Sequence, residues 1–516
     1  MTATITATGI LRASASPVVA AQDLPVWLRP GGLAVLVLVL AAVRLVVAAQ
    51  AGLAEDEAYY RLWGLSPATG YYDHPPMIGW WVWAGQQLAG DTALGLRLMA
   101  VLSALIGSAA LWRTAHLLFG PRVAGWSVLF FNASLLIGVG SLLATPDAPS
   151  VFFWGLAMWA LAELAARGNP MWWLAVGLFA GLGVASKYSV LFLGAGIVLW
   201  LVFVPAARIW WRAWQLWAGG LLAVLIVLPV VLWNADHQWA SFVKQFGRAV
   251  PGGWTLKYVF EFLGAVIGLA NPLVAVLAGL GLARVVGRAR GGDPAAGLLL
   301  WLCVPFFSYL LLHSFHSRVQ GNWPAPLYPA LAMMAALVAA DPPQRAARLW
   351  RGVAGSAVVL GLAVSALVYV HAVSPLTGAL ARKDPTHQTR GWPAVRAEIL
   401  DLAERHDARW IATWGYGLNA QLAFQLRDDL PVEQLTERIR YVMQPPLAAS
   451  RVAEPALFVV KARRDPGAAH LRTRFGEVER VATVTRAVRG TPLKDLVVYR
   501  VARPTGDPRD PLYPLP

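Results

Sequence analysis

Cysteine and charge are both scarce in this chain. One of its 516 residues is a cysteine, Cys303, and 14% are charged, whereas soluble domains carry about a quarter charged residues. A single cysteine excludes an internal disulfide and a cysteine-rich metal site. The low charge, together with 57% hydrophobic residues, excludes an ordinary soluble protein and predicts a polytopic α-helical membrane protein.

Several catalytic signatures are missing as well. The sequence contains no Walker A motif, no GxGxxG after a soluble strand, no HExxH and no GxSxG. These motifs build phosphate loops, dinucleotide sites, zinc sites and serine nucleophiles. Nucleotide-driven chemistry, serine hydrolysis and a cytoplasmic sugar-nucleotide domain therefore lack support in the sequence.

The net charge of +15 does not by itself indicate nucleic-acid binding. Few of the basic residues form runs, and most fall in short loops between apolar segments. This distribution is typical of the positive-inside rule and of contact with anionic lipid. We therefore expect membrane lipids, and no nucleic acid, among the partners.

Long apolar runs define the membrane region. A spanning helix needs about 20 apolar residues. Eleven segments are predicted to span: about 31–50, 93–112, 123–142, 148–166, 171–185, 188–204, 214–233, 259–283, 296–313, 323–340 and 352–371. The dipeptide Asn271-Pro272 should kink its helix, because proline removes a backbone hydrogen bond.

Lysine and arginine predict the orientation. They are more numerous in the segments that lie inside if the N-terminus is cytoplasmic, and eleven spans then place the C-terminus outside.

From about Thr377 charged residues become frequent, with helical patterns at 390–406 and 418–426 and strand patterns at 409–414, 456–460 and 496–501. The predicted organisation is a cytoplasmic tail over 1–30, a transmembrane domain over 31–376 with a first outer loop at about 51–92, and a periplasmic α/β domain over 377–516.

The first outer loop carries unusual acids. Glu55, Asp56 and Glu57 follow the first span, and Asp73 and His74 precede two prolines. Carboxylates at a membrane edge are costly to desolvate and are functional candidates, although three acids could also form a solvated cap and Asp73 a turn. Because consecutive helical residues diverge by about 100°, one of the pair Asp56 and Glu57 can face a site while the other supports it.

Other outer segments carry further candidates. Asp147 follows Thr145-Pro146, where it could cap a helix or join a site. Lys187 could snorkel to the interface or neutralise a phosphate. Lys244 and Arg248 lie among aromatic residues, which suits either a polyprenyl phosphate or a generic lipid-facing loop.

A last outer cluster contains His313, His316 and Asn322. The two histidines have i,i+3 spacing, so both could face one ligand. Zinc sites usually need three protein ligands. Ordinary polar lining is therefore the competing interpretation.

Together these motifs resemble the integral-membrane glycosyltransferases of the C superfamily, in the bacterial branch related to protein O-mannosyltransferases and aminoarabinose lipid A transferases. The resemblance covers about residues 35–335 and implies the GT-C fold. It also implies transfer of a sugar from a polyprenyl-phosphate donor, outside the membrane, with inversion at the anomeric carbon. The motifs that carry it are Asp56-Glu57-Ala58-Tyr59-Tyr60, Gly70-Tyr71-Tyr72-Asp73-His74-Pro75-Pro76, Thr145-Pro146-Asp147, Ser186-Lys187-Tyr188 and Asn322-Trp323-Pro324-Ala325-Pro326.

The resemblance also implies roles for individual residues. Asp56 is expected to be the catalytic carboxylate that engages the acceptor, with Asp73 and Asp147 in the same cavity and Lys187 at the donor phosphate. A divalent cation between Asp73, Asp147 and histidines would help bind phosphate, but the sequence leaves this open and no cofactor is assigned. The remaining residues expected to bind substrate are Glu57, Tyr60, His74, Tyr188, Lys244, Arg248, His316 and Asn322.

The acceptor stays open at this point. Aminoarabinose transferases tend to have Glu-Lys before the two prolines, whereas Asp73-His74 is similar to protein mannosyltransferases. We expect a hexosyl or pentosyl transferase of the bacterial inner membrane that modifies an envelope glycolipid, such as lipid A or lipopolysaccharide core, or a protein. A transporter or flippase of polyprenyl-linked sugars and a non-catalytic binding protein are the alternatives, although inverted repeats typical of transporters are not evident.

Overall fold

Apolar helices make up most of the chain before residue 375. The computed structural model describes residues 24–247, 253–375 and 383–513, so Arg248 and the first 23 residues of the predicted tail lie outside the described part. The first helices are α1 (Pro30–Gln50), α2 (Glu55–Leu65), α3 (Met77–Ala89), α4 (Ala93–Phe119), α5 (Pro121–Ala133), α6 (Leu135–Gly140), α7 (Asp147–Arg167) and α8 (Trp172–Val184). They are followed by α9 (Leu191–Phe203), α10 (Trp214–Asp236), α11 (Ala240–Phe246), α12 (Lys257–Ala270), α13 (Pro272–Arg290), α14 (Pro294–Ser314), α15 (Tyr328–Ala340) and α16 (Ala347–Val373).

Seven helices within the described ranges are long and apolar enough to cross a membrane: α1, α4, α7, α10, α13, α14 and the segment Gln344–Val373 that contains α16. The count rises to eight if Tyr188–Phe203 and Pro205–Arg212, which meet at a bend of 108°, form one span. Trp172–Val184 and Ala325–Ala340 are shorter apolar helices. The prediction of a polytopic helical membrane protein is confirmed, whereas the number of eleven spans stays a prediction.

The predicted kink within the segment 259–283 is a break between two helices. Helix α12 ends at Ala270, and α13 begins at Pro272. Between them Asn271 has a φ of 77°, and its side-chain oxygen accepts a hydrogen bond from the Leu273 amide at 3.1 Å. Because the Asn271 side chain caps a new helix that starts with proline, the first helix ends before this dipeptide and the second begins at it.

Small residues allow some of the helices to pack with their backbones in contact. A Cβ atom added to Gly281 of α13 would lie 1.9 Å from the carbonyl oxygen of Met334 in α15. On Gly177 of α8 it would lie 2.0 Å from the carbonyl oxygen of Gly219 in α10. Such small-residue contacts are typical of helix pairs in membranes, where close van der Waals packing drives association.

The C-terminal part forms an α/β domain, as predicted. Its elements are α17 (Trp392–Arg405), β1 (Trp410–Thr413), α18 (Tyr416–Gln425), β2 (Val432–Gln434), α19 (Ala449–Val452), β3 (Ala456–Lys461), α20 (Gly467–Leu471), β4 (Phe475–Val488) and β5 (Thr491–Pro504). The sheet has the strand order β2-β1-β3-β5-β4. Strand β1 runs parallel to β2 and β3, and β5 runs antiparallel to β3 and β4.

The packing of α17 on the sheet follows its apolar pattern. Val395, Ile399 and Leu402 recur at helical spacing and are buried together with Leu457 and Val459 of β3. Strand β3, whose two faces are covered, consists almost entirely of apolar residues, which is typical of a central strand. This core fixes the ends of β1 and β3, where the functional side chains described below begin.

The described residues divide into two compact units. The first contains residues 24–46, His74–Ile78 and Arg97–Tyr369, and so most of the apolar helices. The second contains Val47–Asp73, Gly79–Leu96 and residues 370–513, and so joins α2 to the C-terminal α/β domain. The predicted boundaries at 30 and 376 stay a prediction.

Candidate active site

Helix α2 begins with the three consecutive acids of the first outer loop. Glu57 is buried, and its carboxylate accepts a hydrogen bond from the Ala54 amide at 2.9 Å, which satisfies one of the free N–H groups at the helix start. Both carboxylate oxygens of Glu55 lie 2.8 Å from Nζ of Lys461, at the end of β3. Acids in a first helical turn are favoured by the helix dipole. Two of the three acids therefore have structural partners within the same unit.

Asp56 differs from its two neighbours, because it keeps an exposed surface. Its carboxylate accepts a hydrogen bond from the Tyr416 hydroxyl at 2.9 Å. Protein surrounds the carboxylate closely even so, and this desolvation raises the pKa of Asp56 despite the Tyr416 hydrogen bond, with the charges of Glu55 and Asp73 adding to the rise. An accessible carboxylate with a raised pKa is a stronger base than an ordinary aspartate, which suits proton abstraction.

Asp73 lies in a network of polar and aromatic side chains. Its carboxylate accepts a hydrogen bond from the Tyr59 hydroxyl at 2.9 Å and forms a short ion pair with Arg440. The Arg440 guanidinium also lies over the Tyr416 ring, 4.5 Å from its centroid. Tyr416 therefore contacts Asp56 through its hydroxyl and Arg440 through its ring, so one tyrosine and one arginine connect the two predicted acids.

Sequence reasoning missed both connecting residues. Tyr416 begins α18 and Arg440 lies in the short helical turn Arg438–Tyr441 of the C-terminal domain. They are 360 and 367 residues from their acidic partners. The only local signal is a pair of arginines beside a tyrosine at 438–441, which does not by itself identify a partner.

Two other predicted residues follow Tyr59 and Asp73 directly in the sequence. Tyr60 is buried, with its ring centroid 4.9 Å from that of Trp63. His74 follows Asp73 directly and is half-buried. Their substrate-binding roles, like that of Glu57, stay predictions.

In the other unit the structure brings three predicted residues together. One carboxylate oxygen of Asp147 lies 2.6 Å from Nζ of Lys187, and the other lies 2.6 Å from Nδ2 of Asn322. Asp147 is the first residue of α7, and the helix start has no side-chain cap. Asp147 therefore belongs to a polar cluster and also lies in the first turn of α7, where the helix dipole favours an acid.

Tyr188 and Lys244 belong to a neighbouring cluster of the same unit. The Tyr188 hydroxyl lies 3.1 Å from the Ser241 hydroxyl, and its ring packs on Phe242 with centroids 5.1 Å apart. Lys244 is half-buried in the same short helix, α11. Helix α11, which carries Lys244, thus packs on Tyr188 through Phe242.

The two histidines of the last outer cluster are in contact. The His313 and His316 ring centroids are 4.8 Å apart at an interplanar angle of 71°. Nδ1 of His316 lies 3.3 Å from the Ser317 hydroxyl. Edge-to-face packing between the rings accounts for the i,i+3 spacing without a shared metal ion.

The described residues do not offer a metal site. Among them no group of three or more His, Cys, Asp or Glu side chains is arranged to hold an ion. Asp73 pairs with Arg440, and Asp147 pairs with Lys187. Each carboxylate that was considered as a metal ligand therefore already faces a cation of the protein.

Comparison with known proteins agrees with the motifs. Residues 73–233 match the family model described as dolichyl-phosphate-mannose-protein mannosyltransferase. The lipid A galacturonosyltransferase RgtD of Rhizobium johnstonii is 28% identical over 283 residues, which cover 54% of this chain and 59% of that protein. The undecaprenyl phosphate-α-4-amino-4-deoxy-L-arabinose arabinosyl transferase of Edwardsiella ictaluri is 32% identical over 284 residues, 52% of this chain and 49% of that protein.

The fold is also known from solved structures. ArnT from Cupriavidus metallidurans, solved with undecaprenyl phosphate bound, superimposes with a TM-score of 0.65 over 93% of this chain and 100% of that chain, at 18% identity. The membrane fold and the C-terminal sheet are thus similar to those of ArnT. The matched region covers about half of the curated relatives' own length. The resemblance predicted from the motifs is therefore confirmed: the chain is similar in sequence to protein mannosyltransferases and to lipid A sugar transferases, and similar in fold to ArnT.

Proposed function

We propose that this protein is an inverting glycosyltransferase that moves a sugar from a polyprenyl-phosphate donor to a cell-envelope acceptor. The observation that carries the proposal is Asp56, an accessible carboxylate that Tyr416 orients and whose raised pKa makes it a competent base. Sugar transfer needs such a group to engage the attacking oxygen. It also needs charge stabilisation of the departing phosphate.

The names of the relatives support the substrate classes. The family model names a dolichyl-phosphate sugar, and the arabinosyl transferases name an undecaprenyl-phosphate sugar. RgtD is named for transfer to lipid A. An undecaprenyl-phosphate donor and a lipid A or lipopolysaccharide acceptor follow as our first choice for this chain.

The chemistry assigns roles to the two groups of residues. The acceptor oxygen attacks the anomeric carbon while Asp56 takes its proton, and the bond from that carbon to the phosphate oxygen breaks with its electron pair on the phosphate. Lys187, held by Asp147 at 2.6 Å, supplies a positive charge for the phosphate, as a point charge with three donors can. Attack opposite the departing phosphate inverts the anomeric configuration.

We also propose the finer topology. Eleven spans, a cytoplasmic tail over 1–30, a transmembrane domain over 31–376 with its outer loop at 51–92, and a periplasmic domain over 377–516 agree with the excess of basic residues on one side. Each predicted span overlaps an apolar helix of the structure, and α5 with α6 together match 123–142. The protein then lies in the bacterial inner membrane with its acidic loop outside.

A protein acceptor is the second candidate. It is favoured by the name of the family model and by Asp73-His74 before the two prolines. The test is in vitro transfer by the purified full chain, with undecaprenyl-phosphate-linked sugars as donors and either lipid A or a Ser/Thr-rich peptide as acceptor. We expect a mass increase of one sugar on lipid A with inverted configuration; transfer to peptide alone would favour the second candidate. No transfer from any polyprenyl donor, by protein whose fold and donor binding are verified, would contradict the proposal.

A further inference from the structure

A basic recess opens beside the acidic start of α2, within the unit that contains Asp56. Its volume is about 670 Å³. It is formed by the connection from β1 to α18 with the first residues of α18 (414–417), the end of β3 with the turn that follows (461–464), the start of β5 (492–495), Glu55 and His387. Cavities of about 300–1,000 Å³ are typical of small-molecule sites.

Cations outnumber acids around the recess. Lys461, Arg463, Arg464 and Lys494 line it, against the carboxylates of Glu55 and Asp495. Nζ of Lys461 donates hydrogen bonds to both carboxylate oxygens of Glu55. Asp495 accepts a hydrogen bond from the Thr485 hydroxyl at 2.8 Å.

Among the described residues, three of these cations have no acidic partner. Over the described ranges, no carboxylate lies within ion-pair distance of Arg463, Arg464 or Lys494. Burial, and next the neighbouring charge of Lys461, lowers the pKa of Lys494. An anion in the recess would relieve this repulsion.

Two glycines at the start of α18 let charged side chains lie close to the main chain. Gly415 has a φ of 89°, and a Cβ there would lie 3.0 Å from Nη1 of Arg464. A Cβ on Gly417 would lie 2.3 Å from the Glu55 carboxylate. The two glycines therefore let Arg464 and Glu55 approach the main chain on either side of Tyr416.

We propose that the basic recess binds a phosphomonoester on the headgroup of the acceptor glycolipid. This inference rests on the proposed function and names the acceptor's anchoring group. Two adjacent arginines provide the fork of donors that phosphate accepts in pairs. Tyr416 lines the recess and donates to Asp56, so a headgroup held there lies beside the base that must reach it. The donor phosphate is assigned instead to Lys187.

The test compares the binding of three lipids to the full chain in detergent: bisphosphorylated lipid A, dephosphorylated lipid A and undecaprenyl phosphate. The variant is R463Q/R464Q, and the matched control is R472Q/R480Q, two exposed arginines of the same domain that do not line the recess. We expect the variant to weaken binding of bisphosphorylated lipid A at least about tenfold. Binding of the other two lipids, and all binding by the control, should be unchanged.

Inorganic phosphate should compete with bisphosphorylated lipid A for the wild-type protein and much less for the variant. Unchanged binding of bisphosphorylated lipid A by the folded variant would overturn the proposal. So would an equal loss for dephosphorylated lipid A, or a loss confined to undecaprenyl phosphate. K494Q provides a second variant with the same expectation if the double variant does not fold. Because binding is measured without turnover, failure of the wild-type protein to transfer sugar would count against the proposed function and not against the recess.

Discussion

Removing the Tyr416 hydroxyl should change how the activity depends on pH. In Tyr416→Phe the Asp56 carboxylate loses the hydrogen bond that it accepts at 2.9 Å. That bond stabilises the ionised form and so lowers the pKa of Asp56, against the desolvation that raises it. Without it the pKa must rise further. Since the base is active when ionised, the acid limb of the rate profile moves to higher pH.

The size of the effect follows from the kind of bond. A hydrogen bond to a charged group contributes about 1.5–3 kcal/mol. Because Asp56 keeps an exposed surface, water replaces part of the lost bond, and we expect the lower end of that range. An energy of about 1.4 kcal/mol corresponds to a tenfold change in rate. On the plateau, where Asp56 is ionised in both proteins, loss of orientation should lower kcat by up to about tenfold.

The assay is kcat measured across pH with a saturating polyprenyl-phosphate donor. Tyr499→Phe is the matched control, because the Tyr499 hydroxyl also donates to a carboxylate of the same domain, that of Asp465, at 3.0 Å. The control should keep the wild-type profile. An acid limb that stays at the wild-type pH in Tyr416→Phe, with an unchanged plateau, would refute the role given to Tyr416.

Two further predictions concern the first compact unit, which contains most of the apolar helices. Lys187→Gln should raise the KM for the donor at least about tenfold, because the donor phosphate loses its cation and Asp147 loses its ion pair at 2.6 Å. Steady-state kinetics on variant protein with an unchanged Tm measures this. An unchanged KM would contradict the prediction. Gly281→Ala should lower the free energy of unfolding by about 1–3 kcal/mol through overpacking, because the new Cβ would lie 1.9 Å from the carbonyl oxygen of Met334. Its Tm should therefore fall. Gly279→Ala on the same helix meets nothing within 4 Å and should not destabilise, so equal Tm values for both variants would contradict the packing argument.

The sequence predicts well where apolar periodicity decides the structure. The helix α17 lies within the predicted helical segment 390–406, with Val395, Ile399 and Leu402 buried, and strands β1, β3 and β5 lie where their patterns indicate. Strand β4 was not predicted, because charged residues interrupt its alternation and its faces are only partly buried. Burial of one face produces the alternation of apolar and polar residues by which a strand is predicted. A partly exposed strand shows little of this alternation.

The site shows the same limit more sharply. Asp56 and Asp147 could be singled out, because acids are rare beside apolar helices. Their actual partners depend on tertiary contacts: Asp147 meets Asn322 across 175 residues, and Asp56 meets Tyr416 across 360. A local pattern contains no information about such distant neighbours, so the contacts of Asp147 with Asn322 and of Asp56 with Tyr416 could not be predicted from the sequence.

The most direct test of the central claim is turnover and donor binding by Asp56→Asn, side by side with wild type. The exposed Asp401 gives the matched control Asp401→Asn. We predict that Asp56→Asn binds the undecaprenyl-phosphate-linked donor as wild type does and loses about 10²–10⁴-fold in transfer rate, while Asp401→Asn keeps both. Transfer by Asp56→Asn at the wild-type rate would contradict the account.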